Sequence, residues 1–296
     1  MNVDEVSFAI LLTVQIVLGA SGNIVLLIFS IRSSLRPIDK IFAHLGLANT
    51  MVLLSKGIPE TMQAWKLENF LDTMGCKILL YCYRVARGLS ICTTSLLSVF
   101  QAITLSPRTP RWAPIKDRAP RSIGLSCLLF WILSSLLDVT VLKYVTGPQN
   151  RTRTRSVLHL KYCSSVSVSK GIVLVNSIIF TFRDLLFIGL MSGASLYMMF
   201  LLYRHHNLVR HLHGHRRPSR STPEVQAAKC VVLLVVLYDL LYGSNSVTLN
   251  VLLNTRAESP LVLNIHTVLS FVFSAVSPLL IINGNRRPSR RRLSEE

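Results

Sequence analysis

Charge is what this 296-residue sequence has least of. Asp, Glu, Lys and Arg make up 16% of it, against roughly 25% in an average soluble domain. The shortage falls on the acids, with 14 Asp and Glu against 32 Lys and Arg. Also missing are His-Glu-x-x-His, Gly-x-Ser-x-Gly and Walker-type phosphate loops, which leaves no sequence basis for a zinc hydrolase, a serine hydrolase or a P-loop enzyme. There is no Cys-x-x-Cys pair and no cluster of Cys and His at ligand spacing. No catalytic residue, cofactor or metal is therefore expected.

Half of the residues are hydrophobic, and they are gathered into runs. A helix crossing the hydrocarbon core needs about 20 mostly apolar residues, and such runs recur seven times, at about 6–31, 41–64, 75–105, 121–145, 171–203, 225–253 and 260–283. Without water, backbone groups must pair within their own segment, so each run is predicted to be helical. The expected fold is an all-α membrane protein, a seven-transmembrane helix bundle over residues 1–283, with residues 284–296 as a short basic tail. Leu293 is the one large apolar residue of that tail, so no membrane-lying helix is expected there.

The net charge of +18 would suggest nucleic acid in a soluble protein, but topology accounts for most of it, and no nucleic-acid partner is expected. Arg32, Arg36 and Lys40 lie between the first two runs, and Arg108, Arg111, Lys116, Arg118 and Arg121 between the third and fourth. Arg204, Arg210, Arg216, Arg217 and Arg220 follow the fifth, and five further arginines, from Arg286 to Arg292, form the tail. Eighteen of the 32 basic residues thus share one side, which the positive-inside rule makes cytoplasmic. The amino terminus, with Asp4 and Glu5 and no basic residue, is expected outside and uncleaved. Residues 143–170 run against the rule, with six basic residues and no acid on the outer side. That loop holds the one N-x-[ST] acceptor, Asn150, a candidate glycosylation site that supports the same orientation.

Four of the six cysteines lie within the runs, where a thiol behaves as a small apolar group. Cys76 and Cys163 both fall on the oxidising side, where they are able to pair, two unrelated free thiols being the alternative.

Ionisable side chains at membrane depth are functional candidates by default. Arg84 and Arg87 share a helix face eight and eleven residues past Cys76, about 12 and 16 Å below the rim at roughly 1.5 Å per residue. Lys56 and Glu60, four apart around Pro59, can pair with each other; Arg183 is a third arginine at depth, and the acids Asp138, Asp184 and Asp239 can balance the arginines. Lys56, Glu60, Arg84, Arg87, Arg183, Asp184 and Asp239 are the candidate ligand-binding residues of a polar cavity in the outer half. A structural ion-pair set is the plainer reading of each. Asn23 and Asn49 suit hydrogen bonding between helices.

Seven spans with an outer amino terminus and the Cys76 and Cys163 pair resemble G-protein-coupled receptors. The runs HLGLAN at 44–49, LLSKGIP at 53–59, RVARGLS at 84–90, SVFQAITLSP at 98–107, FRDLLFIGLMS at 182–192 and AVSPLL at 275–280 resemble the vomeronasal type-1 receptor family. The resemblance implies a plasma-membrane receptor in vomeronasal sensory neurons, a pheromone or related small semiochemical as ligand, and an inhibitory-class heterotrimeric G protein as partner. Gln101, Arg108 and Arg210 are the candidate G-protein contacts.

The rhodopsin-like Asp-Arg-Tyr is replaced by Phe100-Gln101-Ala102, Asn-Pro-x-x-Tyr by the run from Ser277 to Ile281, and the sixth span has no proline. Asp239 departs from the family, which would place an apolar or aromatic residue there. The absence of lysine from 260–283 excludes a retinal Schiff base. A bitter-taste-like chemosensory receptor is the nearest alternative. A small transporter or channel is the alternative of another class, disfavoured by the absence of an internal repeat.

Overall fold

The computed structural model describes residues 3–32, 36–67, 71–107, 109–110, 112–146, 163–165, 170–213, 223–254 and 260–292. Seven helices among them are long and apolar enough to cross a membrane. The first is α1 (Val3–Arg32). The second is built from α2 (Pro37–Val52), a π-helical turn (Leu53–Gly57) and α3 (Ile58–Ala64). Next come α4 (Thr73–Leu105), α5 (Ala113–Asp138) and a single turn, α6 (Val141–Tyr144). The fifth to seventh crossing helices are α7 (Lys170–His213), α8 (Pro223–Asn254) and α9 (Pro260–Arg292).

Outside the helices, β1 (Val145–Thr146) pairs antiparallel with β2 (Ser164–Ser165). Cys76 and Cys163 form a disulfide, so the strand pair is tied to the first turn of α4. This end is called the disulfide end below. Asn150 lies outside the described residues.

Local chemistry sets the helix ends. Pro37 occupies the first turn of α2, where a missing N–H leaves no bond unmade. The Asp72 carboxylate accepts from the Gly75 N–H at 2.7 Å and caps α4. α3 closes with Lys66 in the left-handed region at φ 59°. Lys66 N–H donates to Gln63 O and Leu67 N–H to Met62 O, a Schellman arrangement that satisfies the last carbonyls. Lys66 then reaches Glu5 of α1 at 2.8 Å. The π-helical turn ends two residues before Pro59, whose ring nitrogen carries no hydrogen to donate to the helix.

The helices form a ring in which α1 packs on α2 and α9, α8 on α9 and α7, and α4 on α2, α5, α7 and α8. α4 is the central helix, buried almost continuously from Val85 to Ala102, whereas α1, α5 and α7 turn Leu, Ile, Val and Phe outward. A neutral polar network joins the middle of the bundle. Asn23 Nδ2 donates to Gly19 O and Ser274 O at 2.8 and 2.7 Å. Asn49 Nδ2 donates to Ser277 Oγ at 2.9 Å, while its Oδ1 accepts from Ser90 at 2.8 Å and Ser274 at 3.4 Å.

Two elements exceed what composition suggests. α7 continues to His213, and α9 runs past residue 283 through Arg292, where the tail composition argues against a helix. Propagation from an existing helix needs no new nucleus, so a poor segment follows a good one.

α1 and α9 meet at Gly19, where a Cβ would lie 2.9 Å from both Cα and Cβ of Ala275. Gly124 of α5 has nothing within 4 Å. Gly19→Ala is expected to cost about 1–3 kcal/mol through forced separation of the helices, while Gly124→Ala is neutral or slightly stabilising through helix propensity. Melting temperatures of the two detergent-purified variants check this.

Candidate functional site

Charge enters the disulfide half of the bundle on three helices: Arg84 and Arg87 on α4, Asp138 at the end of α5, and Arg183 and Asp184 on α7. They join in one chain of ion pairs. Arg84 Nε donates to Asp138 Oδ1 at 2.9 Å, and Arg183 Nη1 to Asp138 Oδ2 at 3.3 Å. Arg183 Nε and Nη2 donate to Asp184 Oδ1 at 3.1 and 3.0 Å, and Arg87 Nη2 to Asp184 Oδ2 at 3.0 Å. Every oxygen of the two carboxylates is engaged. Gly88 makes room for the central guanidinium, since a Cβ there would lie 2.9 Å from Arg183 Nη1. The Phe180 ring adds a cation–π face, 3.9 Å from Arg84 Cζ and 5.3 Å from Arg183 Cζ.

Three guanidiniums against two carboxylates leave one positive charge in excess. Arg183 is 7% exposed, whereas Arg87 at one end of the chain is 39% exposed. Arg87 opens into a cavity between α2, α4, α8 and α9, walled by Tyr83, Tyr238, Tyr242, Asn245, Leu269 and Phe273. Ser90 and Ser274 also line it, so the neutral network around Asn49 forms part of its wall. Tyr238 meets Phe273 edge to face at 4.7 Å, and Arg87 Cζ lies 5.9 Å from the Tyr242 ring. Asn245 Oδ1 accepts from Ser270 Oγ at 3.4 Å.

Lys56, carried by the π-helical turn, is a second cation beside this wall. Its ammonium lies 5.0 Å from the Tyr83 ring and 5.5 Å from that of Phe271. Among the described residues no Asp or Glu lines the cavity, and no group of three or more metal-ligating side chains occurs. The walls offer hydrogen-bond donors and ring faces, which equip the cavity to bind a small molecule.

Comparison with known proteins identifies the scaffold. The model of the vomeronasal organ pheromone receptor family matches residues 6–291. The chain belongs to that family. It is 35% identical to vomeronasal type-1 receptor 3 of Homo sapiens over 98% of this chain and 94% of the relative. It is 36% identical to vomeronasal type-1 receptor 4 of Pongo pygmaeus over 91% of both. It is also 33% identical to olfactory receptor class A-like protein 1 of Danio rerio, over 87% of this chain and 81% of the relative. These relatives are receptors and not enzymes, and with seven crossing helices the protein is a multi-pass membrane receptor.

Within the receptor, four of the seven residues put forward from sequence, Arg84, Arg87, Arg183 and Asp184, meet in the charged chain together with Asp138. Asp239 does not join them. It lies on the α7 side of α8, where its Oδ2 accepts from Ser192 Oγ at 2.8 Å and its Oδ1 is buried without a hydrogen-bond partner. The reason is helical phase: Tyr238, one residue earlier and about 100° round the helix, faces the cavity instead. Lys56, carried by the π-helical turn, turns to aromatic rings. Glu60 sits half-buried on α3.

At the opposite end Gln101 is 4% exposed, so it presents no surface in this conformation. Arg108 lies outside the described residues, and Arg210 is carried by the extension of α7. The aromatic walls Tyr83, Tyr238, Tyr242 and Phe273 were not singled out from sequence, since rings at helical spacing look the same whether they face lipid, core or cavity. The pairing of Tyr238 and Tyr242 at i, i+4 is the signal that marks a shared face.

Asp184→Asn takes the carboxylate partner from Arg87 and leaves Arg183 with Asp138 alone, and is expected to destabilise the receptor by about 3–5 kcal/mol. Arg84→Gln, at the other partly exposed end of the chain, leaves Asp138 paired with Arg183 and is expected to cost less. Thermal melting of the purified variants ranks the two, and an equal effect would contradict the chain described.

Proposed function

We propose that this receptor sits in the plasma membrane of vomeronasal sensory neurons with its amino terminus outside, and detects a small pheromone-like molecule. The ligand occupies the cavity between α2, α4, α8 and α9, and the signal passes to an inhibitory-class heterotrimeric G protein. The cavity itself carries this reading, ring-lined and bordered by Arg87 at the end of an otherwise saturated charge chain. Family membership supports a receptor role, and the basic residues gathered at the end opposite the disulfide support the orientation.

The opposite end is held closed by polar and ring contacts. Tyr197 of α7 shares a 3.1 Å hydrogen bond with Ser106 at the end of α4, and Trp112 stacks on Tyr197 at 6.1 Å. Lys116 Nζ donates to Thr104 O at 2.9 Å. A ligand shifts the population only by binding one state better than another. The state that receives the G protein is one in which this end has opened and Gln101 is uncovered, with Arg108 and Arg210 as the further G-protein contacts.

Expression with an inhibitory G protein and a panel of volatile and steroid-like compounds tests the reading through suppression of cyclic AMP. Tyr238→Ala is expected to weaken any response at least about tenfold, from loss of a packed aromatic contact, with surface expression retained. A well-expressed receptor silent to the whole panel, or one indifferent to Tyr238→Ala, would count against the cavity. For orientation, Asn150→Gln is expected to abolish the mobility shift that endoglycosidase treatment produces in the wild type. An unchanged shift would place the glycan elsewhere, and no shift in the wild type would remove this support for an outer loop.

A further inference from the structure

We propose that the groove between α1 and α9 binds one anionic phospholipid, with an acyl chain along the groove and the phosphate headgroup among arginines at its end. The site is separate from the ligand cavity, and binding to the purified receptor tests it independently of that reading. Only the leaflet that supplies the lipid rests on the proposed orientation.

The two walls run side by side. Gly22 of α1 lets α9 come close, since a Cβ there would lie 3.2 Å from Pro278 Cγ. Beside that contact a cavity of about 300 Å³ opens between Leu18, Gly22 and Val25 on one wall and Leu279, Ile282 and Asn283 on the other. Leu18 and Leu279 are 59% and 49% exposed, so the groove faces outward, where a crossing helix meets lipid. Ser21 also lines it, but its hydroxyl donates to Leu18 O of its own helix at 3.0 Å. A trough with this lining suits a hydrocarbon chain.

Charge at one end selects the headgroup. Leu279, Asn283, Arg286, Arg287 and Arg290 follow one another at helical spacing along α9. The outward stripe of the helix therefore becomes a stripe of arginine positions past Gly284, where the apolar stretch ends. At roughly 1.5 Å per residue these positions begin about 3 Å and end about 9 Å beyond that point, through a headgroup layer roughly 5–8 Å deep. The other wall ends in the same way. Arg32, exposed in the last turn of α1, follows Val25 by two turns on the same face. It forms no ion pair among the described residues.

Neither wall supplies a counter-charge. α9 contains no Asp or Glu, and those of α1, Asp4 and Glu5, lie in its first turn at the opposite end. Arginines directly beyond a crossing helix attract anionic lipid, and the attraction fades within a Debye length, so it acts on headgroups in this layer. A zwitterionic lipid brings its own cation and gains less from the same positions. A sterol fills the trough without answering the charge.

Native mass spectrometry of the detergent-purified receptor reads the binding directly, with phosphatidylserine and phosphatidylcholine of identical chains as probes and glycerophosphoserine as a headgroup without chains. One phosphatidylserine per receptor is expected to bind at least about tenfold more tightly than phosphatidylcholine. Glycerophosphoserine at the same concentration is expected not to displace it. Arg286→Gln with Arg287→Gln is expected to weaken phosphatidylserine about 30-fold, roughly fivefold for each arginine. Arg118→Gln with Arg121→Gln removes the same charge from exposed positions of α5 at the same end of the bundle, and is expected to leave binding unchanged. Ser21→Trp fills the groove from an exposed position and is expected to abolish retention of the lipid; Asn283→Trp makes the same test from α9 if the first variant does not purify.

Equal affinity for the two lipids, an equal loss in the α5 pair, displacement by glycerophosphoserine, or binding indifferent to the tryptophan overturns the proposal. So does a receptor dimer that the tryptophan disrupts, which would assign the groove to a second copy of the chain.

Discussion

Everything in the disulfide half of the bundle depends on the pairing of ionised groups away from water. A charge at that depth is tolerated when its partner is close and well aligned, and here five charges are threaded so that each carboxylate serves two arginines. The chain needs α4, α5 and α7 at fixed separations, because Asp138, Arg183 and Arg87 come from different helices. It also needs a helix face without a side chain at residue 88, where the Arg183 guanidinium fills the space a Cβ would take. The odd number of charges then gives the cavity its character: whichever way two acids are shared among three arginines, one end of the chain stays electropositive.

A second network works by different chemistry. Asn49 is donor and acceptor at once, so a single neutral side chain links α2 to Ser90 of α4 and to Ser274 and Ser277 of α9, while Asn23 brings in α1. Neutral hydrogen bonds of this kind are worth little individually in a membrane. Between them the two networks fasten six of the seven crossing helices. α8 is held by packing and rings, with Tyr238 against Phe273, and by side-chain hydrogen bonds that include Ser192 to Asp239, Ser270 to Asn245 and Cys230 Sγ to Leu280 O. α8 also contributes two of the four rings of the cavity wall, Tyr238 and Tyr242.

Sequence made the seven helices legible because lipid imposes a length and an apolarity that few other environments demand. It also flagged Arg84, Arg87, Arg183 and Asp184, since charge within such runs is conspicuous. What it hid was phase. Asp239 looked equivalent to the other acids, yet it is turned toward Ser192 while its neighbour Tyr238 enters the cavity. Gln101 was expected at a surface and is enclosed, because the end of α4 is covered by its neighbours. The helical continuation of α9 could not be read from a tail rich in arginine and poor in apolar residues, since its order comes from the helix before it.

The π-helical turn at Leu53–Gly57 has a consequence for how this scaffold diverges. Such a turn holds one residue more than an α-helix would need over the same rise, so α3 is rotated against α2 although the two form one membrane crossing. Loss of a single residue there would restore an unbroken α-helix and swing α3 round its axis. Lys66 would be carried away from Glu5, and the Trp65 indole from the Thr13 hydroxyl it now reaches at 3.1 Å. α2 and its Asn49 contacts would stay where they are. A one-residue length change can therefore redecorate the mouth of the bundle in a single step, leaving its centre untouched, and substitution alone has no equivalent route.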